Sequence, residues 1–268
     1  MDLQARFGTA SPVVGMVHLP PLPGAPGFVS REQVRERALA DARSLAAGGV
    51  DAVLVENYGD APFHAEDVPK HVVAEMTAAT RAVADAVDLP VGVNVLRNDA
   101  AAGLAVAAAA GEFFRVNVHA GVAVTDQGVV EGRAAETVRE RERIGADVAL
   151  LADVAVKHAA PLAERPLAEQ FDDAVARGMA DAVVVSGPAT GASAEEAHLA
   201  AAGDLGDEYD VPVFAGSGVT PETAAQVFEH VDGAIVGTAL KVDGEPANPV
   251  DEERVRELVG QVAATVGE

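Results

Sequence analysis

Ionisable side chains interrupt the apolar runs of this sequence at positions where they could take part in chemistry. The clearest case is "LADVAVKHAA" (150–159), in which Asp153 and Lys157 stand among alanine, leucine and valine. A charge in such a run must be paired, be neutralised, or meet a ligand at an open end of the strand. A carboxylate and an amine there could transfer protons, and the amine could form an imine with a carbonyl compound. An internal ion pair between the two residues is the alternative.

Similar polar residues end the other apolar runs. The candidate catalytic residues are His18, Glu56, Asn94, Asn117, His119, Asp153 and Lys157. Imidazoles, carboxylates and an amine are the groups that general acid–base and covalent catalysis use. Each residue taken singly is also explained as a capped strand end or a satisfied buried polar group. The prediction of a site therefore depends on a fold that gathers them.

Four of these side chains could instead bind a divalent cation. The carboxylates of Glu56 and Asp153 and the imidazoles of His18 and His119 suit Mg²⁺, Mn²⁺ or Zn²⁺. No two of them stand in a short ligand motif. We therefore favour acid–base roles without a metal and keep a divalent cofactor as the alternative.

Three later runs end in turns of small residues, "VSGPATG", "FAGSGVTPE" and "IVGTALK". Glycine lets the backbone approach a ligand closely, and successive N–H groups in such turns can bind an anion. The candidate phosphate-binding residues are Ser186, Gly187, Gly216, Ser217, Gly218, Gly237 and Thr238. Lys241 follows the last turn and could lie close to the same anion. For the last two of these turns, the alternative is a pair of tight turns without a ligand.

These residues need elements that bring them together, and the chain shows eight apolar runs separated by helical segments. The predicted strands are 12–18, 51–57, 91–96, 113–119, 148–154, 181–187, 211–218 and 233–238. The predicted helices are 31–47, 68–87, 99–110, 133–143, 167–177, 194–203, 221–229 and 251–266. Eight β/α units in one chain predict a single (β/α)8 barrel over residues 1–268. The carboxyl ends of its strands would then form one site.

Composition limits the classes of partner. The net charge of −23 repels phosphate backbones and anionic lipids, which argues against nucleic acid and membrane partners. The chain has no cysteine, no basic and apolar leader, and no apolar run of the roughly 18 residues that span a bilayer. We therefore expect a cytoplasmic protein with a small phosphorylated ligand, and a homo-oligomer stays open. Sixteen arginines, only three lysines and the acidic surface predict adaptation to high salt.

Several of these motifs occur together in one known family. From one end of the chain to the other, "GMVHLPPLPG", "VENYGDAPF", "NVLRNDA", "RVNVHAG", "LADVAVKHA", "GSGVTPE" and "GTALKVDGE" resemble the BtpA family. The resemblance implies a TIM barrel related to phosphate-binding barrels. The family takes its name from a role in photosystem I accumulation in cyanobacteria, and other members resemble companions of sugar uptake and metabolism systems.

Two functions follow as hypotheses. The first is an enzyme that acts on a small phosphorylated sugar or nucleoside-derived compound, by isomerisation or by cleavage of a carbon–carbon or glycosidic bond. The second is a non-catalytic assembly or regulatory protein. Ionisable groups gathered at a barrel mouth favour the enzyme, whereas a broad apolar patch on the outer helices would favour the second function.

Overall fold

The structure, a computed structural model, describes residues 1–65, 67–96, 98–155, 160–163, 165–186 and 192–267. Two predicted site residues, Lys157 and Gly187, lie outside the described residues.

Eight parallel strands close into a barrel within the described residues. They are β1 (Val13–His18), β2 (Ala52–Glu56), β3 (Val91–Asn94), β4 (Phe113–Val116), β7 (Ala149–Val154), β9 (Ala182–Val185), β10 (Val213–Ala215) and β11 (Gly233–Val236). Each strand pairs with the next in this order, and β11 pairs with β1. The predicted (β/α)8 barrel is therefore confirmed.

Helices cover the outside of the barrel. They are α2 (Arg31–Gly48), α3 (Lys70–Ala84), α4 (Ala100–Ala110), α5 (Ala134–Ile144), α6 (Leu167–Phe171), α7 (Ala192–Tyr209), α8 (Ala224–Phe228) and α9 (Glu252–Val266), whereas the short helix α1 (Leu3–Phe7) lies at the amino end of the barrel. A π-helical stretch, Asp172–Arg177, continues α6. In the part of the chain described, none of these helices has the length and apolarity needed to cross a bilayer.

Two features were not predicted from the sequence. The short helix α1 precedes the barrel, and a three-stranded antiparallel sheet forms from β5 (Val122–Thr125), β6 (Gly128–Glu131) and β8 (Ala160–Pro161). The sheet joins the segment after β4 to the segment after β7. Its strands have only two to four residues each and lie between the predicted elements, where so short an alternation cannot be told from a loop.

The barrel interior is apolar toward the amino ends of the strands. Its packed residues are Val14, Met16, Ala52, Leu54, Phe113, Ala149, Leu151, Ala182, Val184, Phe214 and Ile235. Two glycines make room for the phenylalanine rings: a Cβ on Gly92 would lie 2.2 Å from the ring of Phe113, and one on Gly233 would lie 2.6 Å from that of Phe214. Large and small inward side chains thus alternate around the barrel, as close packing requires.

Helix α1 closes the amino end of the barrel with one aromatic side chain. Phe7 is buried and packs edge-on against Phe113 and Phe214, with ring centroids 5.5 and 6.1 Å away. Edge-to-face pairs of this kind add to the stabilisation from buried area.

We therefore expect Phe7→Ala to lower the free energy of unfolding by about 3 kcal/mol, because it leaves a cavity against two rings. Urea unfolding measures this change, and Gln4→Ala at an exposed position of the same helix is the control. Equal unfolding midpoints for the two variants would show that α1 does not stabilise the barrel.

Candidate active site

A layer of polar side chains crosses four neighbouring strands at the carboxyl end of the barrel. His18 is the register partner of Glu56, Glu56 of Asn94, and Asn94 of Arg115. Register partners in a parallel sheet project to the same face. All four side chains are buried. We call these four residues the mouth layer.

The carboxylate of Glu56 lies between two other members of the mouth layer. Asn94 Nδ2 donates to Glu56 Oε2 at 2.9 Å, and His18 Nε2 lies 3.8 Å from Glu56 Oε1. Among the described residues, the buried Oδ1 of Asn94 makes no hydrogen bond. The arrangement fixes the carboxylate while leaving an acceptor oxygen of the neighbouring amide for a further donor.

The imidazole of His18 is held in one protonation state. Its Nδ1 lies 2.9 Å from the carbonyl oxygen of Pro246, which can only accept, so Nδ1 carries the proton. Burial, with the nearby ammonium of Lys241, lowers the pKa of His18 from 6.5 to about 4. The ring is therefore neutral at pH 7, with its Nε2 lone pair on the side of Glu56. Tyr58 stacks on the ring, with centroids 4.6 Å apart.

A second group of side chains surrounds Asp153, at the end of β7. Arg115 donates to both carboxylate oxygens, from Nε at 2.7 Å and from Nη2 at 2.9 Å, and Asn117 Nδ2 donates to Asp153 Oδ2 at 2.9 Å. Burial disfavours the charged guanidinium, but the carboxylate of Asp153 outweighs it and raises the pKa of Arg115. Asp153 is thus held in place by three hydrogen bonds, and its removal would leave a buried cation unpaired.

Sequence analysis did not identify Arg115. The signal was present in "FFRVNVH", where Arg115 stands two residues after the inward-facing Phe113 and two before Asn117. Alternation along a strand places residues two apart on one face. An arginine at an inward position of a barrel strand must have a buried partner, and here that partner is Asp153.

The predicted phosphate-binding residues follow β9, β10 and β11. A Cβ on Gly216 would lie 2.8 Å from Ser186 Oγ and 3.2 Å from Arg115 Nη2, and one on Gly237 would lie 3.2 Å from His18 Nε2. Because glycine has no side chain, the backbone at Gly216 and Gly237 lies close to Ser186, Arg115 and His18. Ser186 itself is buried.

The two turns after β10 and β11 differ in shape. Gly218 has a positive φ of 79°, and the buried Oγ of Ser217 has no hydrogen bond among the described residues. Gly237 precedes a 3-10 turn that begins at Thr238. The two turns are neighbours because β10 pairs with β11.

Two sequence expectations are not met by the geometry. His119 lies apart from the mouth layer: β4 ends at Val116, and the His119 ring packs against Gly178, whose carbonyl lies 2.7 Å from Nε2. Lys241 does not face the phosphate turns. Its side chain is fully buried and bonds to Asp41 and to the backbone of β1, because β1 and α2 cover it.

The four candidate metal ligands do not come together around one point. Within the described ranges, no three histidine or carboxylate side chains lie close enough to hold one ion. Arg115 occupies both oxygens of Asp153, and His119 is elsewhere.

Solved structures with the same architecture include several enzymes. The tryptophan synthase subunit alpha from Campylobacter jejuni superposes with a TM-score of 0.61 at 14% identity, covering 96% of this chain and 99% of that one. Thiamine phosphate pyrophosphorylase from Pyrococcus furiosus gives a TM-score of 0.59 at 15% identity, with 96% and 98% coverage. At such identities the likeness shows the fold alone.

Sequence comparison is more specific. The pattern that defines the BtpA family matches residues 9–264. The photosystem I biogenesis protein BtpA of Synechocystis is 43% identical over 267 residues, which cover 98% of this chain and 92% of that protein. On the extent of both matches, this chain belongs to the BtpA family.

Proposed function

We propose that this protein is an enzyme acting on a small phosphorylated sugar or nucleoside-derived compound, by isomerisation or by carbon–carbon or glycosidic bond cleavage. One observation carries the proposal: a neutral imidazole, two carboxylates and a guanidinium are buried together beside two glycine turns at the carboxyl end of the barrel. Imidazole and carboxylate groups placed in this way are the ones that proton transfer uses, and buried groups with shifted pKa values are concentrated at functional sites.

In this proposal the turns after β10 and β11 bind the phosphate. The backbone N–H groups of Ser217 and Gly218 and those from Gly237 to Thr238, with the hydroxyl of Ser217, supply donors without adding a cation; the N–H of Gly216 donates instead to the carbonyl oxygen of Val185. Such donors matter in a chain with a net charge of −23, whose overall field repels anions. The loops after the last two strands are the usual phosphate site of this fold.

The rest of the ligand then lies over the mouth layer. Neutral His18 accepts a proton or a hydrogen bond at Nε2, and Glu56 takes or returns a proton beside it. Asp153, fixed by Arg115 and Asn117, provides an oriented acceptor for a substrate hydroxyl. Lys157, which follows Asp153 by four residues in the sequence and lies outside the described residues, is proposed as a cation or an imine-forming amine.

A non-catalytic assembly role is favoured by a different observation. Val124, Val129 and Leu162, on or next to the small sheet, are 40%, 55% and 65% exposed. Exposed apolar side chains on a short sheet can serve as a protein contact. The relative named for photosystem I biogenesis keeps this alternative open. A chain that binds none of the phosphorylated compounds below would favour it.

Ligand binding tests the proposed phosphate site. We expect ribose 5-phosphate to raise the melting temperature more than ribose does, in thermal-shift measurements at low salt and in molar KCl. Ser217→Ala should weaken this binding about tenfold, because one hydrogen bond to a charged group is lost. Ser44→Ala in α2 is the matched control. Equal shifts with ribose and ribose 5-phosphate would contradict a phosphate site.

The two carboxylates should respond differently to neutralisation. A thermal-shift screen of sugar phosphates and nucleosides first identifies a ligand that the protein converts. Glu56→Gln keeps an acceptor for Asn94, so we expect a stable protein that no longer converts this ligand. Asp153→Asn leaves Arg115 unpaired and should lower the free energy of unfolding by about 3 kcal/mol. Circular dichroism with urea unfolding separates the two effects. A destabilised Glu56→Gln protein that keeps its activity would show that Glu56 is structural.

The protonation state of His18 can be tested through stability. The unfolded chain binds a proton on His18 below about pH 6.5, whereas the folded chain binds it only below about pH 4. Stability from neutral His18 is thus complete above pH 6.5 and is lost as the pH falls toward 4. Between pH 7 and 4.5, the fall in unfolding free energy should be about 2 to 3 kcal/mol smaller in His18→Gln than in the wild type.

The control for this measurement is His64→Gln, at an exposed position. Identical pH profiles for His18→Gln and the wild type would mean that His18 titrates normally in the folded protein.

A further inference from the structure

A buried ion pair lies behind β1, outside the mouth layer. Lys241 and Asp41 are 0% and 1% exposed, and Lys241 Nζ donates to Asp41 Oδ2 at 3.3 Å and to the carbonyl oxygen of Met16 at 3.0 Å. The other carboxylate oxygen of Asp41 accepts from the backbone N–H of Val250 at 2.9 Å. The pair therefore joins helix α2, strand β1 and the segment that follows β11.

That segment, residues 241–250, is closed into a loop by contacts at its ends and along its length. Lys241 and Val250 form an antiparallel bridge. Arg37, on α2, donates to Asp41 Oδ2 at 3.0 Å and to the carbonyl oxygen of Ala247 at 3.1 Å. The anchored loop thus has fixed ends and one fixed point near its middle.

The carbonyl oxygen of Pro246, next to Ala247, is the acceptor for His18 Nδ1. We propose that the buried Lys241–Asp41 pair is a positioning element of the candidate active site. It anchors residues 241–250 so that the Pro246 carbonyl holds His18 in the Nδ1–H form, with Nε2 toward Glu56. The relevance to catalysis rests on the proposed function, but the positioning itself does not.

The residue types agree with this role. A buried ion pair contributes little net stability compared with apolar side chains of the same volume, so stability alone does not explain it. The ammonium of Lys241 contacts a carboxylate and a carbonyl, which suits a compact cation better than a planar guanidinium. In a chain with sixteen arginines and three lysines, this position holds a lysine. Its charge also lowers the pKa of His18, second only to burial.

The tautomer of His18 provides a direct readout in the full-length protein without any ligand. Imidazole ¹⁵N chemical shifts in ¹⁵N-histidine-labelled protein at pH 7 distinguish the Nδ1–H and Nε2–H forms, and His18→Gln identifies the signal. We expect the wild type to hold the Nδ1–H form. In Lys241→Met and Asp41→Asn, the ratio of the Nε2–H to the Nδ1–H form should rise about fivefold, the size expected for one lost net hydrogen bond.

Arg37→Met is the milder variant if the first two do not fold. Arg37 is partly exposed, with 21% of its side chain accessible, and its loss releases Ala247 without leaving Lys241 unpaired. It should shift the tautomer ratio in the same direction.

The matched control is Arg141→Met, which breaks the partly buried pair of Arg141 and Asp181. Asp181 precedes β9 at the amino end of the barrel, away from His18. This variant should lose stability and keep the wild-type tautomer. An unchanged tautomer in folded Lys241→Met or Arg37→Met would overturn the inference, and so would an equal shift in Arg141→Met. A protein that shifts its tautomer but binds no phosphorylated compound would retain the inference and lose the proposed function.

Discussion

The bidentate pairing of Arg115 with Asp153 is the interaction on which the polar end of the barrel depends. The barrel interior is packed with apolar side chains up to this level, so charges placed there are removed from water at a high cost. The guanidinium fork satisfies both carboxylate oxygens at once and cancels the charge. Arg115 is the register partner of Asn94, so this neutralised pair lies beside the strands that carry Asn94, Glu56 and His18.

The inward side chains of the strands have two roles: those at the amino end pack the barrel, and those at the carboxyl end form the polar layer. At the amino end, phenylalanine rings fill the space that glycines leave, and this end supplies the packing that closes the barrel. At the carboxyl end, the same alternation places groups that bond to one another instead of packing. Side chains of both ends belong to the same strands, so the geometry of the polar layer is set by the packing of the apolar one.

The alternation of residue types predicted most of this fold. The eight barrel strands and the helices between them were expected from periodicity, and the strand ends pointed to His18, Glu56, Asn94 and Asp153. The alternation fails where a strand ends early: His119 has the same parity as Arg115, but β4 stops at Val116 and the chain turns away.

Contacts between residues far apart in the chain are the second feature that could not be predicted from the sequence. Lys241 was expected near a ligand, yet its carboxylate partner lies 200 residues earlier in the chain, on α2. No local pattern reports such a contact. Arg115 illustrates the same limit, since its assignment requires both the strand parity and the position of Asp153, 38 residues later.

Phe7 closes the amino end of the barrel, and this limits how a ligand can enter and leave the molecule. The aromatic cluster leaves the axis of the barrel as a dead end. A small molecule bound at the opposite end would therefore enter and leave through that end alone.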